Sequence, residues 1–178
     1  FERGSSAVAG KNGTFSGSNV WVTGLTATTY QDNTDARLWT PNYNFTVPGI
    51  YTLKFYRKNI FEIGWDGFRV EYSLDKGDTW APIGVVAANW YDFANTGGTT
   101  SFPVNQPYFN QTRAAYTLCH YDVSALSGNP NVAFRLRFKS DGSVNTAGVA
   151  IDDFEIIGPV NTPLPVELAT FTGKAEEK

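Results

Sequence analysis

The only histidine of this chain, His120, stands between the only cysteine, Cys119, and an acid two residues on, Asp122. All three fall in an alternating run over residues 114–123 that reads as a strand. Cys119 and His120 therefore leave on opposite faces and form no nucleophile–base couple. His120 and Asp122 share a face, yet no Gly-x-Ser-x-Gly turn supplies a serine for them, and a cross-strand hydrogen bond is the expected use. With one histidine there is no His-Glu-x-x-His zinc pair and no Cys/His cluster. Glu62, Asp66 and Glu71 are the carboxylates available for acid–base work on a glycosidic bond, but nothing in the sequence fixes their separation. A non-catalytic protein is the expectation.

Binding chemistry has more to draw on. A single connection, residues 87–113, mixes aromatic with turn residues, and loops of that length in a compact domain are usually functional. Trp90, Tyr91, Phe93, Tyr108 and Phe109 are its expected ligand-binding residues. Planar rings flanked by Asn and Gln suit a sugar or a protein partner, which both use apolar stacking with polar edges. Trp21, Trp39 and Trp80 lie in or beside strand patterns and are expected to be packing residues; Trp65 reads as a tip residue or a plug for one end of the fold.

Ser73-Leu-Asp-Lys-Gly-Asp-Thr-Trp80 is similar to the Asp box of sialidases. Its physical content is a hairpin device: Asp75 accepts backbone N–H groups across the turn, and Gly77 supplies a positive φ. A propeller carries several copies, whereas this chain has one and lacks the length for six blades. The structural use is expected.

The elements that must position these residues read as β throughout. Candidate strands cover residues 19–23, 36–40, 50–58, 67–73, 80–86, 114–123, 132–139 and 148–157, with no helical period sustained over three turns. Residues 50–57 and 132–139 alternate apolar with Thr, Lys or Arg, the mark of sheets with one wet face. The fold class expected is all-β, a two-sheet antiparallel β-sandwich. The 178 residues are 42% hydrophobic and 15% aromatic, enough for one domain with a real core. Net charge is -3 with the basic residues scattered singly, which argues against nucleic acid. No run approaches the roughly 20 apolar residues of a membrane span. The sequence has no Met and opens at Phe1 without a charged-then-apolar leader, so a targeting peptide is expected to have been removed or never included.

The succession Phe1-Glu-Arg-Gly4, residues 17–25, Leu38-Trp-Thr-Pro41, residues 65–73 and Gly148-Val-Ala-Ile-Asp-Asp-Phe-Glu-Ile156 resembles the jelly-roll modules related to MAM domains and to the cleaved-adhesin domains of bacterial surface proteases. The resemblance implies a jelly roll over residues 1–159, used as an adhesive or accessory module. It also implies a calcium ion between the first and last strands, held by Glu2 and Asp152. Asp152 is placed with Ala150, Phe154 and Ile156 on the apolar side, where an unpaired carboxylate is costly; pairing with an arginine or capping a turn is its alternative use. The loop Gly10-Lys-Asn-Gly-Thr14 offers only neutral oxygens, short of the six to eight or so that calcium takes.

Residues 160–178 contain Pro163-Leu-Pro-Val-Glu-Leu168 and Phe171, similar to the segment that introduces an immunoglobulin-like domain in proteins exported by the Bacteroidetes type IX secretion system. They are expected to be a linker and the first strand of a truncated second domain. Together the two resemblances imply a secreted, cell-surface module that binds an extracellular glycan or protein. The alternatives are a structural subunit or spacer of a surface filament, built by self-association, and an accessory domain of a secreted protease or glycoside hydrolase. Asn-x-Thr sequons at Asn12, Asn44 and Asn110 agree with exposed loops.

Overall fold

The computed structural model describes residues 1–95, 97 and 101–159. The expected second domain, residues 160–178, lies outside them. The described residues form an all-β fold whose strands pair antiparallel. One sheet has five strands in the order β1 (Glu2–Gly4), β2 (Val20–Val22), β11 (Gly148–Ile157), β4 (Thr52–Ile60) and β9 (Arg113–Asp122). The other has four, β3 (Asp35–Trp39), β10 (Ala133–Lys139), β5 (Gly67–Ser73) and β6 (Ala81–Pro82). A two-stranded ribbon joins β7 (Phe93–Ala94) to β8 (Pro107–Tyr108). The central strands keep the alternation of the sequence, as in β4, where Leu53, Phe55, Arg57 and Asn59 are buried and the residues between them are not.

The core lies where the inner faces meet. Phe55 of β4 meets Phe68 of β5 with ring centroids 6.1 Å apart, and Phe134 of β10 meets Phe154 of β11 at 6.4 Å. Parity breaks in β11. Its pairing with β4 slips between Asp152 and Glu155, and Asp153 sits at φ 46°, so the strand carries a β-bulge. The bulge sends Asp152 to the outer face with Ala150, while Phe154 and Ile156 turn inward to the core. The expected shared side of Asp152, Phe154 and Ile156 fails for this reason.

The outer face of the five-stranded sheet is covered by residues 5–19. Phe15 stacks on Tyr56 at 3.5 Å, the Tyr116 hydroxyl donates to the Gly13 carbonyl at 2.8 Å, and Val20, Val22 and Ala150 are buried beneath.

Candidate functional site

The five expected binding rings do not form a presented surface. Trp90 is 2% exposed, and Tyr91, Tyr108 and Phe109 are fully buried. Phe93 is half-buried against Tyr108. The Tyr91 hydroxyl both accepts from the Val70 N–H and donates to the Val70 carbonyl, at 2.9 Å each, and Phe109 exchanges two backbone hydrogen bonds with Phe68. Gly67 is required there, since a Cβ on it would meet the Phe109 carbonyl oxygen at 2.3 Å. The loop thus closes one flank of the sandwich. Asn110 is also fully buried, its side chain bonded to Gly64, Glu62 and Asp66, so that sequon is not exposed.

The opposite flank is open. β1 and β2 end the five-stranded sheet on one side and β3 is an edge strand of the four-stranded sheet, and residues of all three border one gap. Trp21 is in register with Ile151, a core residue, so its ring points to the inner side, yet it stays partly exposed. The gap is a cleft of about 830 Å³, within the range of roughly 300 to 1,000 Å³ of small-ligand sites. Leu38, Leu136 and Phe154 are its apolar lining, Trp21 borders it from the inner side of β2 and Trp39 from the outward parity of the edge strand β3, and Arg3, Asn19, Asn42 and Asn44 are among its polar lining. Trp21 is 38% and Trp39 58% exposed, contrary to their expected role as packing residues. Parity could have found them. Trp39 is in step with Asp35 and Arg37, and Trp21 is out of step with Val20 and Val22.

Asp152 builds a wall of this cleft. Its carboxylate accepts N–H bonds from Phe15 at 2.8 Å, Ser16 at 3.2 Å and Asp153 at 2.9 Å, pinning the segment that runs on through Ser18 and Asn19. Glu2 accepts from the Leu25 N–H. The two carboxylates are thus engaged separately by backbone amides, and the acidic group that converges among the described residues does not include them. Register puts Glu2 in the row of Ala150, two strands across and two residues along from Asp152. Lys11 is fully buried with its Nζ donating to the Thr23 carbonyl at 2.6 Å. Burial pushes its ammonium down, and Glu2 is the charge working the other way. A lysine already supplies the positive charge at Glu2.

Among the described residues, a different acidic group converges: one oxygen each of Glu62, Asp66 and Asp141 lie within 4.8 Å of one another. Asp66 is fully buried and accepts from the Tyr30 hydroxyl at 2.5 Å, the Asp141 N–H at 2.8 Å and the Ser101 hydroxyl at 3.3 Å. Burial, with help from the neighbouring carboxylates, pushes both Glu62 and Asp66 above the usual carboxylate range. It also pushes the Tyr30 phenol up to about 12. The Oε2 atom of Glu62 is buried without a hydrogen-bond partner.

The remaining chemical candidates are built into the fold. Cys119 is buried, its thiol pushed up to about 11 by that burial, and His120 is exposed on the other face. Asp122 accepts from the Ser124 N–H at 2.8 Å. In the hairpin, Asp75 accepts the Thr79 N–H at 2.9 Å and the hydroxyls of Ser73 and Thr79 at 2.6 Å each. Those bonds hold its carboxyl down at about 2. Gly77 takes φ 101°, as the turn demands. No protein-family model matches the chain, and a search of curated proteins finds no match either.

Proposed function

We propose that the chain is a non-catalytic module of a secreted, cell-surface protein, of the MAM-like or cleaved-adhesin kind exported by type IX secretion, and that it binds an extracellular glycan in the open flank. The observation that carries this reading is a pair of exposed tryptophans, Trp21 and Trp39, in the lining of one cleft. Indole rings stack on the apolar faces of sugars, and asparagine side chains beside them offer donors and acceptors to hydroxyl groups. Rigid strands hold Trp21 and Trp39, which limits the ordering cost of binding. The test is retention on neutral polysaccharides and glycan arrays by wild type, Trp21→Ala and Trp39→Ala. A loss of tenfold or more in each variant is expected, and unaltered retention overturns the cleft. A chain that binds no glycan but assembles into ordered polymers is a filament subunit instead.

Calcium belongs to this proposal as a structural ion at Glu62, Asp66 and Asp141, where a buried oxygen lacks a partner. Its chemistry there is neutralisation of crowded carboxylates, and no contact to the glycan passes through it. Added calcium is expected to raise the melting temperature of wild type and not of Asp66→Asn. A melting temperature indifferent to calcium and chelator ends this part.

A further inference from the structure

The outer face of the four-stranded sheet has an arrangement that β-sheets ordinarily avoid. Register sets Arg37 of β3 directly opposite Arg137 of β10, and Arg137 directly opposite Arg69 of β5. Like charges opposed across strands destabilise a sheet. The adjoining rows add Arg135 on one side and Lys139 on the other, each on the same outward parity. Five cationic side chains thus share this side of the sheet with two carboxylates, Asp35 and Glu71, in a chain whose net charge is -3, and Arg69 is itself buried against the Phe102 ring and donates to Gln106, so the other four are the cations left to a ligand.

Those carboxylates are already engaged. Glu71 is nearly fully buried and contacts Arg69 and Arg135 at 2.5 Å each. Asp35 contacts Arg137 at 2.6 Å and Arg37 at 2.9 Å. Lys139 Nζ lies over the Phe102 ring at 5.9 Å, and burial together with Arg137 pushes its ammonium down. Positive potential is left over, spaced at ~4.8 Å across the strands. Aromatic rings flank the row: Trp80 lies over Arg135 at 4.4 Å and 5.7 Å from Trp39, which also walls the cleft.

We infer that this face binds an anionic polysaccharide, one carrying carboxylate or sulfate groups, whose chain continues from the cleft over Trp39 onto the arginines. The inference rests on the glycan-binding reading and adds the charge class of the glycan. Guanidinium groups take carboxylate and sulfate oxygens in paired hydrogen bonds, and tryptophan beside them takes sugar faces. Duplex DNA carries one charge per ~1.7 Å, and a net-negative protein with a single small basic face is a poor match for that density.

The test compares binding of the 178-residue chain to dextran sulfate and to unmodified dextran, with polyglutamate and duplex DNA as the other polyanions. Dextran sulfate is expected to bind at least about tenfold more tightly than dextran in about 50 mM NaCl, with the advantage shrinking at about 200 mM as screening grows. The double variant Arg37→Glu/Lys139→Glu is expected to remove that advantage. If its melting temperature shows misfolding, Arg37→Gln/Lys139→Gln is expected to reduce the advantage at least about threefold. Equal binding of dextran and dextran sulfate, an advantage untouched by the folded variant, or equally tight binding of polyglutamate or DNA overturns the inference. Trp21→Ala separates this result from the cleft: weakened dextran binding with the sulfate advantage unaltered in the charge variant leaves the cleft standing and the face refuted.

Discussion

The two flanks of the sandwich are both lined with aromatic residues, and they are used in opposite ways. On one flank, Trp90, Tyr91 and Phe109 join the core, with the Tyr91 hydroxyl matched to backbone partners. On the other, Trp21 and Trp39 stay exposed at the border of a cleft. Aromatic density therefore does not mark a binding surface here. What decides is whether a length of chain is available to bury the rings and satisfy their polar atoms.

The contrast between the flanks is most exposed to test at Trp90. Replacing it with Ala removes a ring that touches Phe55, Tyr91, Phe109 and Tyr121, with centroids 5.0 to 5.8 Å apart. A loss of about 4 kcal/mol in unfolding free energy is expected by denaturant titration. Trp39→Ala, at 58% exposure, is expected to cost less than about 1 kcal/mol. Similar losses from the two would erase the distinction between the flanks.

Next in size is Asp152→Ala, which strips an acceptor from the Phe15, Ser16 and Asp153 amides. A loss of about 2 kcal/mol is expected, together with faster hydrogen exchange at Phe15 and Ser16. Because the pinned segment leads into the cleft wall, glycan retention should weaken as well. Undiminished retention in a folded Asp152→Ala chain would show that the wall does not shape the site. By contrast, Arg37→Ala, which breaks a surface ion pair with Asp35, is expected to cost about 0.5 kcal/mol or less.

Much of this fold was legible in the sequence. Strands β5 and β11 run over residues 67–73 and 148–157 as expected, because Phe68 and Val70, and Val149 and Ile151, alternate with polar or small residues or are framed by turn residues. β1 was not legible, since three residues at a sheet edge carry no period of their own. The ribbon β7–β8 was missed because its two-residue strands are defined by tertiary packing. At the site, parity within β2 and β3 already exposed Trp21 and Trp39, but the gap they share depends on which strands end the two sheets there. The error over Asp152 has one cause, the bulge at Asp153, which a count of residues in a strand does not register. Nor does composition reveal that Lys11 is an internal cation, because burial of a lysine is a property of the segment that folds over it.

The least of these effects belongs to the acidic corner, where the balance of the closed side can be read from its pH dependence. A carboxyl whose folded pKa lies above its unfolded value keeps its proton longer in the folded chain, so stability falls as pH rises between the two. Asp66 is such a group, raised by burial above its ordinary 3.8. Asp35, Asp75, Asp122 and Glu71 are the opposite case: they are held below their ordinary values, and their contribution is lost only as pH falls through that lower range. The two sets therefore act with opposite sign, the three aspartates below 3.8 and Asp66 above it, with Glu71 active below 4.5. In chelator, the melting temperature of wild type should decline as pH climbs from 3.8 through the raised folded value of Asp66, while Asp66→Asn, which does not titrate, should decline less. Identical slopes for the two proteins would mean that Asp66 ionises in the folded chain without penalty, and the crowding of its neighbours Glu62 and Asp141 would then be relieved by solvent.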